Sequence, residues 1–108
     1  MKIAIIGTTS YINKMKDYKE MLEKQGHEVR IPALDDRPEL NEIGICEYNL
    51  ENIKWADRVD VFWDKRSMGT IFDFGMTFAL NKPFKRVFME PKTFMAVMEQ
   101  YENRFNDG

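Results

Sequence analysis

Short apolar runs, each followed by apolar residues at helical spacing, constrain this chain more than any other feature. Lys2 to Ile6 reads as a buried strand that stops at Gly7. Met15, Tyr18, Met21 and Leu22 then recur at turn spacing until Gln25-Gly26 closes a helix. Glu28 to Ile31 is a second strand, Leu50, Ile53 and Trp55-Ala56 mark a short helix, and Val59 to Trp63 is a third strand. The segment SMGTIFDFGMTFALNKP, residues 67 to 83, follows as a helix that is apolar nearly all round and is therefore expected to be buried. Lys85 to Met89 is a fourth strand, and Phe94, Val97, Met98, Tyr101 and Phe105 stripe a last helix that begins near Pro91. Parallel neighbours need crossover connections, so this alternation predicts a parallel sheet with helices on both faces. The expected architecture is one domain, residues 1–108, a three-layer α/β sandwich with about four to five parallel strands. Its expected order is the flavodoxin-like, Rossmann-like 2-1-3-4, with right-handed crossovers.

Composition narrows the function. Sixteen Lys+Arg against 18 Asp+Glu leave a net charge of -2, so no polyanion-binding surface is advertised and duplex nucleic acid is not an expected partner. Cys46 is the only cysteine and His27 the only histidine, which sets aside a disulfide framework and a Cys/His zinc site; no metal and no cofactor are expected. The first apolar run is too short for a membrane span, and Thr8 to Ser10 interrupt it before a signal-peptide core forms. A cytoplasmic location and no membrane partner are the expectation. Eight Met and eight Phe are read as core filling.

In open parallel sheets ligands bind outside the carboxyl ends of the strands, where the strand order reverses. Two loops meet there. Gly7 to Asn13 (GTTSYIN) follows the first strand and Asp64 to Thr70 (DKRSMGT) follows the third. Gly7, Thr8, Thr9 and Ser10 in one, with Asp64, Ser67, Gly69 and Thr70 in the other, are candidate ligand contacts, because free N–H groups ahead of a helix favour an anion such as phosphate. Taken singly, Ser10, Asn13 and Ser67 also read as helix caps. Trp63 beside them can stack a nucleobase or pack in the core. The connection from Pro32 to Tyr48, with Asp35, Asp36, Arg37 and Glu39, reads either as a lid or as a solvated loop.

Asp73 is the single acid in the apolar helix. At helical spacing it shares a face with Gly69, Thr70 and Thr77, and Gly69 leaves open volume one turn before it. The carboxylate is therefore expected to face a ligand pocket, the alternative being a structural bond to first-turn N–H groups or to Arg66.

Around these residues the chain resembles a family. Ser67-x-Gly69-Thr70-x-x-Asp73-x-Gly75, followed by Ala79 and Lys82-Pro83 and preceded by Ala56-Asp57-x-Val59-x-Val61, is similar to the nucleoside 2-deoxyribosyltransferase family, including 2'-deoxynucleoside 5'-phosphate N-hydrolases. The resemblance runs from Lys2 to about Met89. It implies that the carboxylate of residue 73 attacks the anomeric carbon of a deoxyribose, forms a glycosyl-enzyme, and passes the sugar to a second base or to water. It also implies that Ser67 and the Gly7-Thr8 turn hold the 5' end of a nucleoside or nucleotide, and that the protein is a homo-oligomer. The stripe on the last helix is the expected self-association surface.

The sequence departs from the family pattern in three places. Asp73 stands where the family has Glu, a side chain longer by one C–C bond of about 1.5 Å. Asn49 stands where the family often has an acid, and it also reads as a cap for a helix starting at Leu50. Ala4 replaces a strand tyrosine, with Tyr11 in the next loop as the substitute. The resulting expectation is a nucleoside or nucleotide N-glycosidase or deoxyribosyltransferase with Asp73, Asn49 and Tyr11 in the reaction. A non-catalytic nucleotide-binding or sensor module on the same scaffold is the alternative, and the short chain weighs against an FMN-binding flavodoxin.

Overall fold

A computed structural model describes residues 1–33, 37–89 and 94–106. The elements follow the order β1 (Lys2–Gly7), α1 (Ile12–Lys24), β2 (Glu28–Arg30), α2 (Glu42–Trp55), β3 (Arg58–Trp63), α3 (Met68–Ala79), β4 (Phe84–Met89) and α4 (Phe94–Asn106), with a 3-10 turn at Thr9–Tyr11 leading into α1. The four strands pair in parallel in the order β2-β1-β3-β4, as the alternation predicts. Asp35, Asp36 and Pro91, on which the lid and the start of the last helix were read, lie outside the described residues.

β1 is central because it is apolar on both sides. Ile3, Ala4, Ile5 and Ile6 are each at most 2% exposed. Successive side chains of a strand point to opposite faces, so Ile3 and Ile5 pack with Met15 and Leu22 of α1 while Ala4 and Ile6 pack with Ile53 of α2. Met76 of α3 adds to the second cluster, which puts α1 on one face of the sheet and α2 with α3 on the other.

Local chemistry sets the element ends. The Asn41 side chain accepts from the N–H of Gly44 at 2.8 Å and starts α2. α2 thus begins eight residues before Leu50, which corrects the short helix expected there and places Asn49 in mid-helix, where it caps nothing. Gly26 takes a φ of 92°, which lets the N–H of His27 reach back to the carbonyl of Leu22 at 3.1 Å and close α1. Lys82 Nζ donates to the carbonyls of Lys54 at 2.9 Å and Ala56 at 2.7 Å, tying the end of α3 to the end of α2.

Asp60 is fully buried on the α1 side of β3. Arg58 donates to both its oxygens, at 2.7 and 2.9 Å, and the Tyr18 hydroxyl donates at 2.6 Å. Burial first, and the bond to Asp60 second, push the Tyr18 hydroxyl up to about 12, so it stays a donor at physiological pH. This triad ties α1 to β3.

α3 departs from its expected burial. Thr70, Asp73 and Thr77 are its buried residues, whereas Ile71, Phe72, Phe74 and Phe78 are 39–78% exposed. The helix turns its polar stripe inward, onto α2 and β1, and its apolar flanks outward. Val97, Met98, Tyr101 and Phe105 of α4 are likewise exposed.

Gly7 marks where the sheet ends and the candidate site begins. A Cβ there would lie 2.7 Å from the Phe62 carbonyl oxygen and 2.9 Å from Met15 Sδ, and the oxygen is backbone that cannot swing aside. Gly7→Ala is expected to destabilise the fold by about 1–3 kcal/mol through overpacking, lowering the melting temperature by on the order of 5–15 °C. Calorimetry of the two proteins checks this, and an unchanged transition would show that β1 and β3 can separate freely at this point.

Candidate functional site

Gly7 and Phe62 are neighbours in register where β1 and β3 end. Beside them opens a cleft of about 460 Å³, within the size range of small-molecule sites. Gly7 and Thr9 form one wall, Pro32 and Ala33 after β2 a second, Ile45, Cys46 and Asn49 of α2 a third, and Ser67, Met68, Gly69, Thr70, Phe72 and Asp73 the last.

Two side chains give the cleft its chemistry. Asn49 and Asp73 are each 6% exposed. Asn49 Oδ1 accepts from the Ala33 N–H at 2.8 Å, and only the oxygen of the amide can do so, so Nδ2 is turned toward Asp73 Oδ2. That second contact is 3.5 Å, long for a hydrogen bond. Burial therefore dominates and pushes the Asp73 carboxyl up to about 7, while the Asn49 amide opposes it by a smaller amount. Near neutral pH the acid is divided between its two protonation states. Gly69 one turn earlier leaves open space: among the described residues only Ser67 Oγ comes within 4 Å of where a Cβ would sit, at 3.9 Å.

The two loops satisfy part of their own hydrogen-bonding capacity. Asp64 Oδ1 accepts from the N–H groups of Arg66 and Ser67, both at 2.8 Å, and from the Thr8 hydroxyl at 3.4 Å. Burial alone would raise the Asp64 carboxyl, but the Ser67 and Arg66 donors outweigh it and hold the acid below its usual range. Ser67 Oγ accepts from the Thr70 N–H at 3.3 Å as the cap of α3, and the Thr8 N–H is bound to the Phe62 carbonyl at 3.0 Å. Asp64 thus takes two backbone donors of the loop ahead of α3. Among the described residues lining the cleft there is no Lys or Arg, and Asp73 is the one carboxylate.

Of the residues singled out from the sequence, Gly7, Thr9, Asn49, Ser67, Gly69, Thr70 and Asp73 line this cleft. Thr8, Ser10, Tyr11, Trp63 and Asp64 do not. Tyr11 packs edge-on against Phe88, centroids 5.0 Å apart, on the α1 side of the sheet. Trp63 lines a separate apolar groove with Ile71, Phe74 and Phe84, and its indole N–H donates to the Ser67 carbonyl at 3.3 Å. Pro32, Ala33, Ile45 and Cys46, from the segment read as a lid or a solvated loop, also line the cleft, as do Met68 and Phe72, which were not singled out. A signal for part of this was present: Asn41 before Glu42, then Ile45, Asn49 and Ile53 at four-residue spacing, is a capped helix with Asn49 on its inner face. Among the described residues no group of three or more His, Cys, Asp or Glu is placed to hold a metal ion, and no helix is long and apolar enough to cross a membrane.

A scan against models of known protein families gave no match for this chain, and a search of curated proteins gave none either.

The raised Asp73 carboxyl makes a prediction about stability. Its folded value of about 7 exceeds the unfolded 3.8, so between those limits the native state binds more protons and stability falls as pH rises. The loss approaches about 1.4 kcal/mol per pH unit across the window and is complete above it. Asp73→Asn removes this dependence, so at pH 8 the variant is expected to be more stable than wild type by about 2–4 kcal/mol, with the gap closing toward pH 4. Urea denaturation from pH 4 to pH 8 measures it, and parallel curves for the two proteins would show that Asp73 titrates as an ordinary surface acid.

Proposed function

We propose that the protein is a nucleoside N-glycosidase or deoxyribosyltransferase with Asp73 as its nucleophile. The observation that carries this reading is a buried carboxylate whose one side-chain partner among the described residues is weak, set in a cleft of small-molecule size beside the open space over Gly69. Carbon–nitrogen cleavage at a sugar passes through an oxocarbenium-like state, which a nearby carboxylate both stabilises and traps. An Asp73 oxygen bonds to C1' as the C1'–N bond breaks. The base leaves with the bonding electrons and takes its proton from water, because the Asn49 amide has no acidic proton to give. Water or a second base then attacks C1' and releases the carboxylate.

The role of Asn49 in this scheme is to position Asp73. Anchored on the Ala33 N–H, its amide aims a donor at the acid without competing for a proton. The Arg66 and Ser67 N–H groups already held by Asp64, and a described lining with no Lys or Arg, support an unphosphorylated nucleoside as substrate, in preference to the 5'-monophosphate. Pro32, Ala33, Ile45 and Phe72 supply an apolar surface for the base. A second reading, a binding or sensor module that turns nothing over, is favoured by one observation: Asp73 is the single carboxylate of the cleft, so a second acid to protonate the leaving base is lacking among its described residues.

The test is incubation with a panel of deoxynucleosides and their monophosphates, with chromatography for free base. Wild type is expected to release base from nucleosides, at a rate that climbs with pH through about 7 as Asp73 ionises. Asp73→Asn is expected to reduce release by at least about a thousandfold while nucleoside binding survives. Asn49→Asp puts an acid about 3.5 Å from Asp73 and is expected to raise the rate, with about 10²- to 10⁴-fold as the ceiling for a general acid. Nucleosides that raise the melting temperature with no base released by wild type or Asn49→Asp would establish the binding module instead.

A further inference from the structure

Beside α3 the sheet keeps an apolar groove of about 210 Å³, walled by Val61 and Trp63 of β3, Phe84 and Met89 of β4, and Ile71 and Phe74 of α3. The groove is open to water: Ile71, Phe74 and Phe84 are 38–49% exposed, and Phe78, next to Phe74 on the same flank of α3, is 78% exposed. A second apolar surface stands in water on α4, where Val97, Met98, Tyr101 and Phe105 recur at helical spacing and are 51–71% exposed. A parallel sheet ordinarily has helices over both faces, so an uncovered groove and an uncovered helix in one chain are complementary halves of one contact.

We propose that α4 is a strap that closes on this groove of its own chain, running back antiparallel to β4 with its apolar stripe against Val61, Phe74 and Phe84. Length favours this occupant. The 13 residues of α4 extend about 20 Å as a helix and the six residues of β4 about 20 Å as a strand, so the one covers the other from end to end. Reach favours it too. Met89 lines the groove and α4 begins at Phe94, a separation typical of a strand-to-helix connection, and such a tether holds α4 at an effective concentration on the order of millimolar. A second copy at micromolar concentration competes poorly with that. Charge is the third observation. Arg86 is the one charged residue among the described lining of the groove, and Glu102 flanks the stripe between Met98 and Phe105. Arg86 lies about 10 Å back along β4 from Met89, and Glu102 about 12 Å along α4 from Phe94, so the two come level when the helix folds back. Closure braces α3 on the flank away from α2. Because Thr70 lines both the groove and the cleft, the closed strap bears on the turn of α3 that separates them.

Disulfide trapping in the full chain, on a Cys46→Ser background, tests the strap. The antiparallel arrangement brings Phe105 to the end of α3 at Phe78 and leaves Val97 about 12 Å further along, beyond the reach of about 7 Å for a disulfide. Phe78→Cys with Phe105→Cys is therefore expected to oxidise within one chain, giving a faster-running species of 12.8 kDa on a non-reducing gel, whereas Phe78→Cys with Val97→Cys is not. Trp63 provides a readout that needs no cysteine. Val97→Asp, at a position already exposed in the open form, is expected to hold the strap off the groove, moving tryptophan emission to longer wavelength and raising its quenching by acrylamide, with the far-UV circular dichroism unchanged. Trp55 stacks under Arg30 in both proteins, so the difference belongs to Trp63. A Phe78–Phe105 pair that stays reduced, one that closes only as a covalent dimer, a Phe78–Val97 pair that closes as readily, or Val97→Asp emission identical to wild type would each overturn the proposal.

Discussion

The Asn49 amide is the joint on which the candidate site depends. Its oxygen is fixed on the Ala33 N–H and its nitrogen faces Asp73, so one side chain from α2 relates the segment after β2 to the start of α3. An asparagine in the middle of a helix contributes little to helix propensity. Here it satisfies a buried backbone donor that would otherwise cost about 1–3 kcal/mol, and it does so without adding a second negative charge beside Asp73. The contact to Asp73 is too long to repay the desolvation of a carboxylate, which is why the acid is pushed up to about 7. A residue held in that state costs stability when ionised.

The same helix accounts for the other unusual property of the molecule. With three polar residues committed to the inner stripe of α3, its phenylalanines have nowhere to go but outward. In an ordinary surface helix the apolar stripe faces the sheet. On the inner side the Thr77 hydroxyl donates to the Asp73 carbonyl at 2.8 Å within the helix, and Met76 supplies the apolar contact with the cluster around Ile53. Ser67 caps its start, and Asn81, with a φ of 53°, turns the chain so that Lys82 can clasp the end of α2.

The self-capping of the Asp64 loop reduces the number of free donors that residue type alone suggests at a switch point. Gly, Ser and Thr before a helix offer donors to an anion, but an aspartate two or three residues upstream is an anion already tethered at high local concentration. Asp64 takes the Arg66 and Ser67 N–H groups before any ligand can.

The sequence by itself determined the strand order, the two-sided burial of β1 and the face of α3 that carries Thr70, Asp73 and Thr77. These follow from periodicity and chain connectivity, which are local: a run of Ile-Ala-Ile-Ile can be buried only between two layers, and residues three and four apart share a helix face whatever surrounds them. Part of the fold was legible but passed over, as with the capped start of α2 at Asn41. Which way α3 turns was decided by tertiary structure, since the same wheel that groups its polar residues permits either stripe to face the sheet. Tertiary contacts also sent Tyr11 onto Phe88 and Trp63 into the α3–β4 groove, away from the cleft. The pairing of Asn49 with Ala33 and Asp73 lies furthest from the sequence. It joins residues 16 and 24 positions apart, and that separation is closed only when α2 has packed between them.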